Sequence, residues 1–171
     1  DEAALDAFQA KYGYRALPNY DFSKSEMIVS VGADFLGDWQ GGGFSPGYSK
    51  SRVPKDGIMS RHIQFEANMS LTGANADKRV PVKPSLQKKI VVEVYNQIVG
   101  RVASTNFSDA LQNHVDNAIT QLKSKSSKSI FVTGLESLEA QAMALEINES
   151  LSSEVLNLEN PRLIRQGQNS K

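Results

Sequence analysis

Two segments of small residues contain most of the side chains that could hold a ligand. The first, EMIVSVGAD, ends with Gly32 and Asp34, and the second, SLTGANADKRVPVK, contains Thr72 and Asp77. Small residues let a backbone approach a ligand closely, while a hydroxyl group and carboxylates orient the ligand. Ligands of parallel α/β sheets bind at the loops that leave the carboxyl ends of the strands. We therefore expect any ligand of this domain to bind at these two segments.

Each segment also has a structural interpretation that needs no ligand. An aspartate in the place of Asp34 commonly caps a turn, and TGANAD is equally suited to a tight turn in solvent. The G-x-G-x-x-G pattern of a dinucleotide loop is absent after the first strand. His62 and His114 lack the i, i+4 partner of a helical metal site, so we expect structural or surface roles for both. We assign no catalytic residue and no metal ligand from the sequence.

The composition excludes several classes of function. With 171 residues, of which 40% are hydrophobic, the chain is long enough for one packed core. Lys and Arg number 19, as do Asp and Glu, so no net charge attracts nucleic acid, which we do not expect as a partner. The absence of cysteine excludes disulfides, thiolate zinc sites and cysteine-ligated iron–sulfur clusters within these residues. No apolar run approaches the roughly 20 residues of a membrane-spanning helix, so we expect no direct membrane span.

Hydrophobic spacing predicts an α/β fold of the Rossmann-like type, a three-layer α/β/α arrangement with a mostly parallel sheet. Helices are predicted over the first dozen residues, over 84–99, from 108 to about 122 and from about 137 to 151. Strands are predicted over 27–31, 62–66, 130–133 and 154–158, with 14–25 as a connector and with 80–84 too rich in proline for a central strand. We expect 1–160 to be a single α/β domain excised from a longer chain, and 161–171 to be a polar tail.

A long glycine-rich stretch, residues 32–60, separates the first two strands. Stretches of this length inside a domain are usually functional or mobile, and we expect a short helix at 46–53 within it. Trp39 either anchors the stretch on the domain or contacts a partner. The basic residues of 78–83 form either a solvated face or a contact for a phosphate or an acidic neighbouring chain. We take 32–60 and 78–83 as candidate contact surfaces.

The two small-residue segments resemble those of the molybdopterin oxidoreductase family. Central domains of that family carry an a-D-v-I-l-x-x-G-a-D/N strand and turn, and a T-x-T-A-x-x-A-D-x-x-l-P-v-x-P-G-T-D loop. The matching stretches here are SEMIVSVGAD at 25–34 and LTGANADKRVPVKP at 71–84. Within the family, DFLG at 34–37 and MSLTGANADKR at 69–79 are similar to the molybdopterin-like region of the large iron–sulfur subunit of bacterial alternative complex III. The resemblance covers most of residues 17–158 and implies a central domain of the molybdopterin-oxidoreductase type.

The resemblance also implies partners, a location and cofactors for the parent protein. The domain would contact other subunits of a membrane-bound respiratory complex that passes electrons from quinol to a periplasmic acceptor. It would lie on the periplasmic side of the bacterial inner membrane, after export of the parent by the twin-arginine route. Iron–sulfur clusters are expected elsewhere in the parent.

One departure from the family pattern concerns the cofactor. Cofactor-binding members continue with proline, glycine, threonine and aspartate, whereas this chain has PSLQ at 84–87. The glycine that admits the pterin phosphates and the acid that orients the ring are therefore both absent. The resemblance implies a non-catalytic scaffold that has lost molybdopterin guanine dinucleotide and keeps Gly32, Asp34, Thr72 and Asp77 as vestigial cofactor-binding residues. The alternatives are a true cofactor-binding segment, in which these four residues touch the pterin, and a free-standing α/β protein that binds a small molecule.

Overall fold

The computed structural model describes residues 1–102 and 107–166, and in them it contains six α-helices and six β-strands. In chain order these elements are α1 (Glu2–Tyr12), β1 (Leu17–Tyr20), β2 (Met27–Val31), α2 (Ser45–Ser51), β3 (Arg61–Glu66), α3 (Leu71–Ala74), β4 (Lys78–Pro81), α4 (Pro84–Tyr95), α5 (Asp109–Lys125), β5 (Ser129–Thr133), α6 (Leu138–Ser150) and β6 (Leu156–Arg162). Short 3₁₀ turns lie between them, and a π-helical turn extends α4. The described part is therefore a mixed α/β protein, as the sequence predicts.

Four strands form a parallel sheet in the order β4-β3-β2-β5. At its centre, Ile28 on β2 pairs with His62 on β3 and with Ile130 on β5. All of β2 and nearly all of β3 is buried, as expected for inner strands of a parallel sheet. The proline-containing β4 lies at the edge, where a missing N–H is tolerated. This arrangement is compatible with a Rossmann-like α/β fold.

The two faces of the sheet are covered differently. One face packs on α4, α5 and α6 through an aliphatic core that includes Val29 and Val94. The other face packs on loop residues and α2 through an aromatic core, in which the rings of Phe22 and Phe35 stack 4.6 Å apart. Because side chains alternate along a strand, β2 contributes to both cores. Helices thus form a full layer on one face, while the short α2 and aromatic loop residues cover the other.

The glycine-rich stretch 32–60 is attached to the aromatic core. Its helix, α2, begins one residue before the predicted start. The ring centroid of Trp39 lies 5.4 Å from that of Tyr20 and 5.7 Å from that of Phe44. Of the two roles considered for Trp39, the structure therefore supports the anchoring one.

Two predictions about the first and last strands are wrong. Residues 14–25 are not a plain connector, because β1 lies within them. The last strand does not join the parallel sheet, since β6 pairs antiparallel with β1 in a separate two-stranded sheet, where Tyr20 lies opposite Leu156. Pro18 conceals β1 in the sequence, because proline is uncommon within strands and is accepted mainly in edge strands such as this one.

The predicted polar tail lies partly within the last strand. Strand β6 continues to Arg162, and residues 163–166 follow it without helix or strand. Residues 167–171 of the predicted tail lie outside the described residues.

Helix boundaries follow the signals in the sequence. Helix α1 ends at Gly13, which has a left-handed φ of 86°, a conformation that glycine adopts without strain. Helix α6 begins after Ser137, whose side-chain oxygen accepts a hydrogen bond from the Ala140 N–H, the usual N-cap arrangement. Within 1–102 and 107–166, no helix combines the length and the apolar character needed to cross a bilayer.

Candidate functional site

Asp34 and Thr72 join the two small-residue segments at the carboxyl ends of β2 and β3. The Asp34 Oδ1 atom accepts hydrogen bonds from the Thr72 N–H at 3.0 Å and from the Thr72 Oγ1 hydroxyl at 2.6 Å. The same hydroxyl oxygen accepts a hydrogen bond from the Leu36 N–H at 2.9 Å. Thr72 is fully buried. The two loops therefore bind each other through the groups that a ligand would use.

Gly32 lies beside these residues, at the point where the strand order reverses. Strand β2 lies between β3, the next strand along the chain, and β5, which the chain reaches only after β4, and such a switch point is the usual ligand crevice of an open α/β sheet. A Cβ atom at Gly134 would lie 2.1 Å from the Gly32 carbonyl oxygen, so the two backbones meet directly. A Cβ atom at Gly32 would lie 2.9 Å from the Gln87 side-chain oxygen. The crevice between β2 and β5 is therefore filled by the chain itself.

Asp77 lies at the other end of the sheet. Its carboxylate accepts a hydrogen bond from the His62 N–H at 2.7 Å and forms a two-pronged ion pair with Arg52, with N···O distances of 2.5 and 2.9 Å. Burial alone would raise the pKa of Asp77, but the Arg52 guanidinium and the His62 N–H lower it below its usual value. Asp77 thus contacts the start of β3, whereas Thr72 lies in α3, after the end of β3. The structure therefore brings Gly32, Asp34 and Thr72 together and places Asp77 apart from them.

A row of polar side chains runs along β3 between these two ends. His62, Gln64 and Glu66 share the face of the aromatic core and are no more than 3% exposed. His62 Nε2 lies 3.1 Å from the Gln64 side-chain oxygen, and Gln64 Nε2 donates to Glu66 Oε2 at 3.2 Å and to the Ala33 carbonyl at 3.2 Å. On the other side of the ring, Tyr48 Oη lies 3.2 Å from His62 Nδ1. We call these three side chains of β3, together with Tyr48, the polar ladder.

Glu66 ends the polar ladder in a closed set of hydrogen bonds. Ser70 donates to its carboxylate through the hydroxyl at 2.6 Å and the N–H at 3.2 Å, and Arg79 Nε donates at 2.6 Å. Burial raises the pKa of Glu66, but the bonds from Ser70 and Arg79 outweigh it and lower the pKa below its usual value. A Cβ atom at Gly73 would lie 1.8 Å from Glu66 Oε1. The carboxylate is therefore held charged and has no room for a ligand group on that side.

His62 is a structural histidine. It is fully buried, and this burial lowers its pKa to about 4. The ring is therefore neutral near pH 7 and serves as a hydrogen-bonding member of the polar ladder. This agrees with the structural role expected for His62 and offers no proton-transfer group near neutral pH.

Arg79 differs from the two lysines of residues 78–83. It forms the ion pair with Glu66 described above, whereas Lys78 and Lys83 are exposed. A surface that offers a contact for an acidic group in this segment therefore depends on Lys78 and Lys83 alone.

Sequence reasoning missed Gln64, Glu66 and Arg52. HIQFE predicted a strand but not its place in the sheet. The structure places this strand inside the parallel sheet, where its polar residues need buried partners. Arg79 and Ser70, both within the second segment, are those partners for Glu66. Arg52, by contrast, is 25 residues from Asp77, and no local pattern connects them.

The sequence also contains one G-x-S-x-G pattern, GFSPG, centred on Ser45. That pattern is typical of a nucleophile elbow only where a strand leads into the serine and a base lies beside it. Here a glycine turn precedes Ser45, which is exposed and begins the seven-residue α2. His62 is engaged with Tyr48 and Gln64. The pattern therefore lacks the setting that a hydrolytic site requires.

Among residues 1–102 and 107–166, no three histidine, cysteine, aspartate or glutamate side chains are grouped as a metal site would require. Comparison of the sequence with models of known protein families and with curated protein sequences gave no match. The family resemblance therefore rests on the two sequence segments alone.

Proposed function

We propose that this chain is a non-catalytic scaffold domain of the molybdopterin-oxidoreductase central-domain type, without a molybdopterin cofactor of its own. Its parent would be the large iron–sulfur subunit of a respiratory membrane complex that passes electrons from quinol to a periplasmic acceptor. The parent would reach the periplasmic side of the inner membrane by the twin-arginine route, and iron–sulfur clusters in other parts of it would carry the electrons.

The closed switch point is the observation that carries this proposal. Gly32 and Gly134 meet backbone to backbone, and the side chain of Gln87 lies against Gly32. Gln87 belongs to the PSLQ stretch in which the sequence departs from cofactor-binding members of the family. A side chain that replaces the family pattern thus occupies the place where a ligand of an α/β sheet would bind.

The residues present at the crevice do not fit molybdopterin guanine dinucleotide. Asp34 Oδ1 already accepts two hydrogen bonds from Thr72, and the Thr72 hydroxyl both donates and accepts. A pterin would have to displace Gln87 from beside Gly32, and it would compete with Thr72 for Asp34 Oδ1. Breaking hydrogen bonds between buried groups costs about 1–3 kcal/mol for each group left unpaired.

A second candidate has one observation in its favour. Gly32, Asp34 and Thr72 converge at the carboxyl ends of β2 and β3, which is where a true cofactor-binding segment would need them. Pterin and molybdenum content of the full-length parent decides between the two candidates. The scaffold predicts neither in the wild type, whereas the second candidate predicts both in the wild type and loss of both in Thr72→Ala, with Thr72→Ser as the matched control.

Exposed apolar residues support a role in subunit contact. Val53 is 65% exposed, Ile58 49% and Met59 40%, and all three lie in the candidate contact surface 32–60. Val53 and the 57%-exposed Leu71 line an open groove of about 530 Å³ between α2 and α3. Clusters of exposed apolar side chains commonly mark protein contacts. We expect a neighbouring subunit of the complex to cover this groove.

Assembly of the native complex tests this contact. Val53→Asp and Leu71→Asp in the parent protein should reduce co-purification of the neighbouring subunits at least about tenfold, because a carboxylate cannot be buried in an apolar contact without large cost. Leu138→Asp, at an exposed position that begins α6 on the other face of the sheet, is the matched control and should assemble normally. Normal assembly of both groove variants would contradict the proposed contact.

A further inference from the structure

Among the described residues, the Arg162 guanidinium has no carboxylate partner. Arg162 ends β6, is partly buried, and makes one hydrogen bond within this part of the chain, from Nη1 to the Gln40 carbonyl oxygen at 2.9 Å. Its central carbon lies 4.9 Å from the centre of the Phe44 ring. An arginine offers five N–H groups in a planar fork, so most donors of Arg162 have no acceptor within the described residues.

Two aspartates, one of them within residues 38–43, are paired with another arginine. Arg165 forms ion pairs with Asp38 at 2.8 Å and with Asp1 at 2.5 Å. Partial burial and the nearby charge of Arg165 lower the pKa of Arg162. The two undescribed stretches contain no aspartate or glutamate. Within residues 1–102 and 107–166, no carboxylate is paired with Arg162.

The turn to which Arg162 is hydrogen-bonded contains buried polar atoms without hydrogen-bond partners. Residues 40–43 all have left-handed φ angles, from 49° at Gln40 to 88° at Gly41. Gln40 is 1% exposed, and both its side-chain nitrogen and its side-chain oxygen are buried without a partner. Buried amides of folded proteins are nearly always hydrogen-bonded. We call residues 38–43 with Arg162 the glycine turn.

We propose that Arg162 and the glycine turn form a binding site for an anionic oxygen group, a carboxylate or a phosphate, supplied from outside the chain. The planar fork of an arginine matches the two oxygens of such a group. The fork lies beside the glycines, with Arg162 Nη2 3.6 Å from where a Cβ atom of Gly41 would be and 3.9 Å from that of Gly43, while Ile164 Cδ1 lies 2.5 Å from the Gly41 position. Leu163 and Ile164, which are 69% and 38% exposed, follow Arg162, so an acidic group flanked by apolar ones would fit this surface best.

Trp39, the only tryptophan, makes this site measurable. Its ring centroid lies 5.7 Å from that of Phe44, on which Arg162 rests. We would follow Trp39 fluorescence of the intact protein while adding sodium phosphate, sodium acetate or the peptide acetyl-Leu-Glu-Leu-amide, with sodium chloride at equal ionic strength as the reference. Arg162→Lys keeps the charge and loses the fork, Arg162→Gln loses both, and Arg61→Gln removes an exposed arginine elsewhere as the matched control.

The proposal predicts a saturable change in Trp39 fluorescence that is larger than the change caused by chloride, with a dissociation constant on the order of 1 mM or below. Arg162→Gln should weaken binding at least about tenfold and Arg162→Lys by a smaller factor, while Arg61→Gln stays within about twofold of the wild type. Tighter binding of the peptide than of phosphate assigns the site to a carboxylate of a partner protein, and the reverse order assigns it to a free phosphate. A fluorescence change no larger than that with chloride would overturn the proposal. So would equal binding by the wild type and all variants, provided that their circular dichroism spectra are unchanged.

Discussion

Two buried glutamines show how differently the chain completes two of its glycine-containing turns. Gln64 is fully buried in the polar ladder below the turn at Gly32, and its amide makes three hydrogen bonds, with His62, Ala33 and Glu66. Gln40 is buried to the same extent in the glycine turn, and its amide makes none. The first region is thus complete within the chain, and the second lacks partners.

Under the two proposals above, the difference separates a ligand crevice that the chain has closed from a surface that binds a ligand. At the carboxyl end of β2, the bond between Asp34 and Thr72 and the contact between Gly32 and Gly134 use up the groups and the space that a cofactor would need. At the glycine turn, the buried Gln40 amide has no hydrogen-bond partner, and Arg162 donates one hydrogen bond within the described residues, to the Gln40 carbonyl oxygen. The complete hydrogen bonding of the first region agrees with a structural role, and the unpaired groups of the second region are the basis of the binding site proposed there.

The largest expected effect comes from a substitution that pushes apart the carboxyl ends of β2 and β5. Gly134→Ala would place a methyl group 2.1 Å from the Gly32 carbonyl oxygen, so we expect a loss of about 3 kcal/mol or more in the free energy of unfolding. Gly100→Ala, where an added Cβ meets nothing within 4 Å, should change stability by no more than about 0.5 kcal/mol. Urea denaturation followed by circular dichroism measures both. Equal stability of the two variants would show that β2 and β5 do not meet as described.

The two glutamines can be compared directly by replacing each with methionine, which has a similar shape and no amide. Gln64→Met leaves buried partners unpaired, so we expect a loss of about 2–3 kcal/mol. Gln40→Met removes an amide that is already unpaired, so we expect no loss or a gain of about 1 kcal/mol. The same urea measurement applies to both. If Gln40→Met costs as much as Gln64→Met, the glycine turn is complete and the contrast between the two regions is wrong.

Acid should affect the closed region through His62. The pKa of His62 is about 4 in the folded protein, against 6.5 for an exposed histidine, so the unfolded chain binds more protons between these values and stability falls as the pH falls. We expect the wild type to lose about 2 kcal/mol from this group between pH 7 and pH 5. Urea midpoints at the two pH values should differ less in His62→Gln, while the control His114→Gln keeps the wild-type difference. An unchanged pH dependence in His62→Gln would contradict the burial of this ring.

Local patterns in the sequence predict most of the elements of the parallel sheet and the helices on it. β-branched residues at 27–31, a proline at the start of α4 and a glycine after α1 act within a few residues of themselves, so they can be recognised without the fold. The same holds for the two small-residue segments, because loops after adjacent parallel strands must lie at one edge of the sheet. This is why Gly32, Asp34 and Thr72 could be expected to lie together.

The remaining features depend on contacts between distant parts of the chain. The pairing of β1 with β6 joins residues more than 130 positions apart. Asp77 forms an ion pair with Arg52, directly after α2, and no local signal in the sequence places these two residues together. Asp77 follows the same small-residue loop as Thr72, yet the short helix α3 carries the chain back to the start of β3 before Asp77. Single-sequence patterns carry no information about such pairings, since tertiary packing decides them.

The most direct test of the closed crevice is a titration of the isotopically labelled protein with molybdopterin guanine dinucleotide, followed through the backbone amide signals of Gly32, Thr72 and Gly134. We expect these signals to stay unchanged up to a concentration of about 100 μM, because Asp34, Thr72 and Gln87 occupy the positions that the pterin would need. Saturable shifts of these signals with a dissociation constant of about 1 μM or below would contradict the account and would favour a true cofactor-binding segment.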